Sequence, residues 1–122
     1  MKIKTRELIE GYYTPEPSEI RVGAKALVYR FNNWKPIVIN SFHTLKMVFR
    51  NFEDGDVQFP LLSDQYLQDT GWIKVGDTFQ KGNFTLDFKM EKVNVFYKEN
   101  RVFSGKCKGE NTFNSISKML KI

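Results

Sequence analysis

The 122-residue sequence holds one cysteine, Cys107, and one histidine, His43. A lone cysteine closes no disulfide within the chain, and no positively charged start is followed by an apolar run of the signal-peptide kind. The expectation is a protein of a reducing interior, a cytoplasm. A lone histidine excludes multi-histidine metal sites and a relay through a second histidine. Long apolar runs are also missing. "PIVI", Pro36 to Ile39, falls far short of the roughly 20 residues a membrane span requires, so no membrane partner is expected. Glycines occur singly, without the clustering of a phosphate-cradling loop or a dinucleotide fingerprint.

These absences bear on catalysis. A dyad of Cys107 with His43 has no third group in view to orient it. Lys106 and Lys108 flank Cys107, which would favour its thiolate and make it oxidation-sensitive, a liability rather than a mechanism. "EDGD", Glu53 to Asp56, lacks the later ligands and the bidentate glutamate of a calcium loop and reads as a solvated turn. The expectation is a protein that is not an enzyme and holds no metal and no cofactor.

What the chain does have is a hydrophobic content of 41%, with 15% aromatics. At this length that is enough for one core, so residues 1–122 read as a single compact domain. Charge is unevenly placed. Residues 1–88 carry 11 Lys or Arg against 11 Asp or Glu, whereas residues 89–122 carry 8 against 3. The whole formal excess of +5 therefore lies in the last 34 residues. Concentrated on one face, it would attract a polyanion or an acidic protein groove. The alternative is a solubilising surface.

Along the chain, "TRELIEG" reads as a short helical turn closed by Gly11. "GYYTPEPSEI" follows, with Pro15 and Pro17 disfavouring helix, so 12–19 is expected as a surface loop. Period-two alternation from Ala24 marks a strand, and Asn32-Asn33 tolerate the turn into a partner strand that Pro36 places at a sheet edge. "TLKMVFRN", Thr44 to Asn51, reads as a third strand, turned by Asp54-Gly55 onto a fourth, "DVQFP". Ser63 is a good N-cap, Leu62 can staple onto Leu67, and Gly71 ends a helix of about two turns with Trp72 folded back over Leu67.

Hairpins follow over Lys81 to Asn83 and Lys98 to Asn100. Phe84, Leu86, Phe88 and Met90 point inward, as do Val93, Val95 and Tyr97. "NTFNSISKMLKI" places Phe113, Ile116, Met119 and Leu120 at helical spacing behind an Asn111 cap. The sum is an α+β fold: a mostly antiparallel, hairpin-linked sheet or small partly open barrel, with one short central helix and one C-terminal helix.

Glu7, Leu8 and Gly11, then Pro60, Leu61, Ser63, Leu67, Gly71 and Trp72, then "GDTFQKGNFTLDF", resemble a group of small phage and prophage proteins. Their pattern is Glu-Leu-x-x-Gly near the start and Pro-Leu-Ser/Thr before a short helix ending in Gly-aromatic. Ile9 and Tyr12 depart from it, as does the "TPEPSE" insert. The resemblance covers Phe59 to Phe88 best. It implies an architecture and a mobile-element origin, and brings no catalytic residues.

Two functional readings follow. The first is a non-enzymatic phage-type inhibitor that docks on a host protein or ribonucleoprotein complex of nucleic-acid defence. An RNA-guided CRISPR nuclease is one such target, since its channel binds by shape and charge and its cycle needs conformational steps that a small wedge would stall. Tyr12 and Tyr13, on the proline-stiffened loop, are the candidate anchors at such a contact. The second is an RNA- or DNA-binding module. "FYKENRVFSGKCK", Phe96 to Lys108, interleaves cations with aromatics as single-strand-binding surfaces do. The candidate binding residues for either reading are Lys89, Lys92, Lys98, Arg101, Lys106, Lys108, Tyr97 and Phe103. Against this, period two turns about half of the aromatics into the core.

Overall fold

A computed structural model describes residues 6–122. The chain divides into two compact units, one ending at Leu61 and one running from Leu62 to Ile122. Where the sequence reading expects one core, the buried side chains form two clusters, one in each unit.

The first unit contains strands β1 (Tyr12–Tyr13), β2 (Lys25–Arg30), β3 (Asn33–Val38) and β4 (Val57–Pro60), in the sheet order β1-β4-β2-β3, with a helix α1 (Phe42–Glu53) between β3 and β4. All pairings are antiparallel. Pro36 lies on β3, which is an edge strand as expected, where a missing N–H costs no ladder bond.

The strand expected over Thr44 to Asn51 is instead the body of α1. Ser41 caps it, its hydroxyl accepting from the Thr44 N–H at 3.2 Å. Leu45, Val48, Phe49 and Phe52 then recur at helical spacing and pack into the core of this unit, against Val28, Val57 and Phe59. Gly55, at φ 76, ends the helix instead of turning a hairpin, and its N–H donates to the Phe52 carbonyl. The β2–β3 turn is Phe31-Asn32, one residue earlier than expected, and both residues have positive φ.

Residues 6–9 form no helical turn, and the first residue of that expected segment, Thr5, lies outside the described residues. The segment is held by side chains. Gln58, only 2% exposed, donates from Nε2 to the Glu7 carbonyl and accepts the Ile9 N–H on Oε1, each at 3.0 Å. Arg6 pairs with Asp56 at 2.8 Å and lies 3.5 Å over the Tyr29 ring. The expected loop over 12–19 is partly ordered: Tyr12–Tyr13 pair with β4, and Pro17–Glu19 form a 3-10 turn.

The second unit opens with α2 (Asp64–Asp69). Five strands follow, β5 (Ile73–Val75), β6 (Thr78–Lys81), β7 (Phe84–Lys89), β8 (Lys92–Tyr97) and β9 (Asn100–Lys106), and the unit closes with α3 (Glu110–Leu120). The strands form an antiparallel meander in sequence order, joined by two-residue turns. The fold is thus α+β with antiparallel, hairpin-linked sheets, not closed into a barrel, and with three α-helices among the described residues where two are expected.

The α2 element forms as its sequence implies. Ser63 accepts the Tyr66 N–H at 3.1 Å, and Gly71 takes φ 101 so that the Trp72 N–H reaches the Leu67 carbonyl at 2.9 Å. Leu62, Leu67 and Trp72 share a core with Phe79, Leu86, Val93, Val95, Phe113 and Ile116, and Trp72 meets Phe113 edge-on with centroids 6.1 Å apart. A side chain fully buried in this way, such as Leu67, contributes about 1.5–3 kcal/mol.

Two inward assignments are corrected. Met90 is 97% exposed because it occupies the β7–β8 turn, and Met119 is exposed because the buried stripe of α3 is Phe113, Ile116 and Leu120. Gly109, not Asn111, precedes the first turn of α3 as its N-cap. Among the described residues no helix is long and apolar enough to cross a membrane.

Candidate nucleic-acid interface

A strand alternates its side chains between the two sheet faces, so register decides which cations meet. In the five-stranded sheet, Phe79, Leu86, Val93 and Val95 face the core shared with α2 and α3. The residues between them form the other face. Lys89 lies opposite Lys92, and Lys92 lies opposite Lys106, so three lysines on three adjacent strands stand in one row at one end of that face. All three are exposed. Directly opposed residues are roughly 5 Å apart and like charges so placed are destabilising.

Among the described residues no ion pair relieves this row. None of the ion pairs formed among the described residues involves Lys89, Lys92, Lys98, Arg101 or Lys106. Glu91, in the turn between Lys89 and Lys92, is 3.9 Å from Lys108 instead.

The next row on the same face is Asp87, Asn94 and Ser104, and beyond it Gln80, Thr85, Phe96 and Arg101 lie side by side. A bulge at Val95/Phe96 sets Arg101 opposite Phe96. The face therefore combines a cation row, a band of hydrogen-bonding side chains and a half-buried aromatic ring beside an arginine. Asp87 Oδ1 is buried without a hydrogen-bond partner among the described residues, an acceptor that calls for a donor.

Of the residues expected to bind, Lys89, Lys92, Arg101 and Lys106 gather on this face. The others do not. Phe103 turns into the core, and Tyr97 stands on the core side at the sheet's other end, edge-on to Phe84 at 5.0 Å. Lys98 sits in the β8–β9 turn with its ammonium 5.7 Å from the Tyr97 ring. Lys108 follows β9, and its carbonyl accepts the Leu62 N–H. The aromatic of the face is Phe96. The signal for it is the alternation of Val93, Val95 and Tyr97, which sends Phe96 the other way.

Tyr13 does not serve as an exposed anchor, because it is 4% exposed, meets Phe59 edge-on and donates its hydroxyl to Glu19. Tyr12 is half-buried in β1.

Burial, then the charges of Glu110 and Cys107, push the Tyr66 phenol above its ordinary value. The hydrogen bond to Asp64 raises Lys74. His43 is exposed in the first turn of α1. Cys107 is buried, with its thiol donating to the Gly109 carbonyl at 3.6 Å, away from the solvent that an oxidation-sensitive thiol needs. Among the described residues no three His, Cys, Asp or Glu side chains group as a metal site requires. No protein-family model, no curated protein and no solved structure matches this chain.

Proposed function

We propose that this protein binds single-stranded nucleic acid, without catalysis, on the open face of its five-stranded sheet. The observation that carries the reading is the row Lys89, Lys92 and Lys106, held side by side on three strands and in no ion pair among the described residues. A phosphate backbone laid across the row would neutralise it and release counterions. Phe96 offers a ring for a base to stack on, Arg101 a flat cation, and Asn94, Ser104, Gln80 and Thr85 hydrogen-bonding groups for base edges.

The test is fluorescence anisotropy of labelled 20-mers of dT and U, titrated with the full chain at several salt concentrations. Wild type is expected to bind less tightly as salt rises. Reversing the row, Lys89→Glu with Lys92→Glu and Lys106→Glu, is expected to weaken binding strongly and to reduce the log–log salt slope by about 2, from ~0.7 per phosphate contact. Unchanged binding in a folded triple variant would sink the reading.

A second reading is carried by β5. This is an edge strand of the same sheet, and Ile73 and Val75 on it are 68% and 48% exposed. An unpaired edge with apolar side chains suits strand addition by a protein partner. In that case the chain is a phage-type inhibitor that docks on a host nucleic-acid-handling defence complex in the bacterial cytoplasm, an RNA-guided CRISPR nuclease being one such target. Affinity purification from host cells, with and without nuclease, separates the two. One protein retained after nuclease supports the inhibitor, whereas recovery of diverse nucleic acid alone supports the first reading.

A further inference from the structure

We propose that the β2–β3 turn of the first unit is a second nucleic-acid contact, in which the Phe31 ring stacks on a base while Arg30 and Lys35 take the adjoining phosphates. The proposal rests on the nucleic-acid reading above but on different residues in the other unit.

Arg30 pairs with Asn33, which leaves a two-residue turn of Phe31, at φ 53, and Asn32, at φ 63. Positive φ at both positions is the mirror-image turn that suits the twist of a hairpin and favours Asn and Gly. Phenylalanine, like Met90 and Glu91 in the β7–β8 turn, enters this left-handed region at a cost that Asn and Gly largely avoid. Packing does not offset it, since Phe31 is 78% exposed. The residue is therefore costly to the fold and available to a ligand.

The surroundings narrow the ligand. The Arg30 guanidinium carbon lies 5.2 Å and the Lys35 Nζ 5.1 Å from the ring centroid. Neither cation takes part in an ion pair among the described residues. A ligand that suits an exposed flat ring with two cations beside it, neither in an ion pair among the described residues, is itself a flat ring that carries anions close to it. A nucleotide within a single strand has that chemistry. A wholly apolar protein pocket would leave both cations desolvated and unpaired.

The decisive variant separates binding from folding. Phe31→Asn places a turn-favouring residue at the strained position, so its thermal midpoint is expected to equal or exceed that of wild type. Its affinity for the labelled dT or U 20-mer is expected to fall about 5- to 150-fold, the span that loss of one stacked base produces. Phe31→Trp, which keeps a stacking surface, is expected to bind within a few-fold of wild type. Phe31→Asn binding within twofold of wild type, while the Lys89, Lys92 and Lys106 reversal abolishes binding, would overturn this inference and leave the sheet-face reading standing. No oligonucleotide binding by wild type would overturn both. Binding of wild type, but not Phe31→Asn, to phosphatidylserine vesicles in that case would reassign the tip to an anionic membrane.

Discussion

Gln58 shows how one side chain can stand in for a strand. Its amide presents a donor and an acceptor at the spacing of a backbone neighbour, and residues 7–9 are attached through both. Replacing it by glutamate tests whether the donor matters. A protonated carboxyl still offers an O–H to the Glu7 carbonyl and an acceptor to the Ile9 N–H. The carboxylate offers acceptors only, in a site that is 2% exposed.

The folded pKa of the new group is therefore expected to lie above its unfolded value of about 4.3. The native-like stability of Gln58→Glu is then present below that value and is lost as pH rises through the folded pKa. Urea unfolding is expected to show near wild-type stability at about pH 4 and a loss of roughly 2–4 kcal/mol at neutral pH, from a shift of up to 3 units at 1.36 kcal/mol each. A pH-independent deficit would mean that shape, not the donor, holds the segment. Nothing in the sequence marks Gln58 for this role, because its partners lie about 50 positions away and are backbone atoms.

Among the elements, α2 is defined by its ends. Six residues are too few for a stable helix alone, so caps and packing must hold it. Ser63→Ala removes the acceptor for the Tyr66 N–H and is expected to cost about 1 kcal/mol. Gly71→Ala puts a Cβ at φ 101, 3.2 Å from Lys81 Cε, on a side chain whose ammonium donates to the Thr70 carbonyl at 2.8 Å. It is expected to cost about 1–2 kcal/mol. Thermal unfolding followed at Trp72 measures both, and the effects are expected to add in the double variant, since they act at opposite ends.

These ends were legible because caps are local chemistry: Ser, then Leu, then Gly-Trp at fixed spacing. α1 was not, although Ser41 caps it in the same way. Thr44 to Asn51 contains Thr, Val and Phe, residues favoured in strands, and an apolar cluster too dense to show whether the period is two or 3.6. Only the faces it packs against distinguish them. The hairpin meander of the second unit was legible for the opposite reason, since its alternation is clean and its turns are short. Of the candidate site, that alternation could separate Lys89 and Lys92 from the core. Bringing Lys106 beside them needed the β8–β9 register, and placing Arg101 beside Phe96 needed the bulge that no local pattern announces.

For the molecule as a whole, two cores raise the question of how far a defect in one is felt in the other. Val48 lies in the cluster of the first unit and Val95 in that of the second, both without solvent exposure. Each unit also carries one tryptophan, Trp34 beside Tyr29 and Trp72 beside Phe113. With Trp72→Phe the fluorescence reports the first unit, and with Trp34→Phe it reports the second. Val48→Ala removes two methyl groups from a packed core and is expected to cost about 1–3 kcal/mol.

If stability resides in each core separately, that loss is expected to move the urea midpoint read at Trp34 and leave the one read at Trp72 in place, with Val95→Ala doing the converse. If both probes shift together for either substitution, the chain unfolds as one cooperative body. That outcome also matters for binding, because ligand held at one unit's site would then protect the other by the same free energy. Separate midpoints would instead confine protection by a bound oligonucleotide to whichever unit contacts it. Repeating the two-probe titration with a saturating dT 20-mer therefore shows whether the lysine row, the Phe31 turn or both hold the strand.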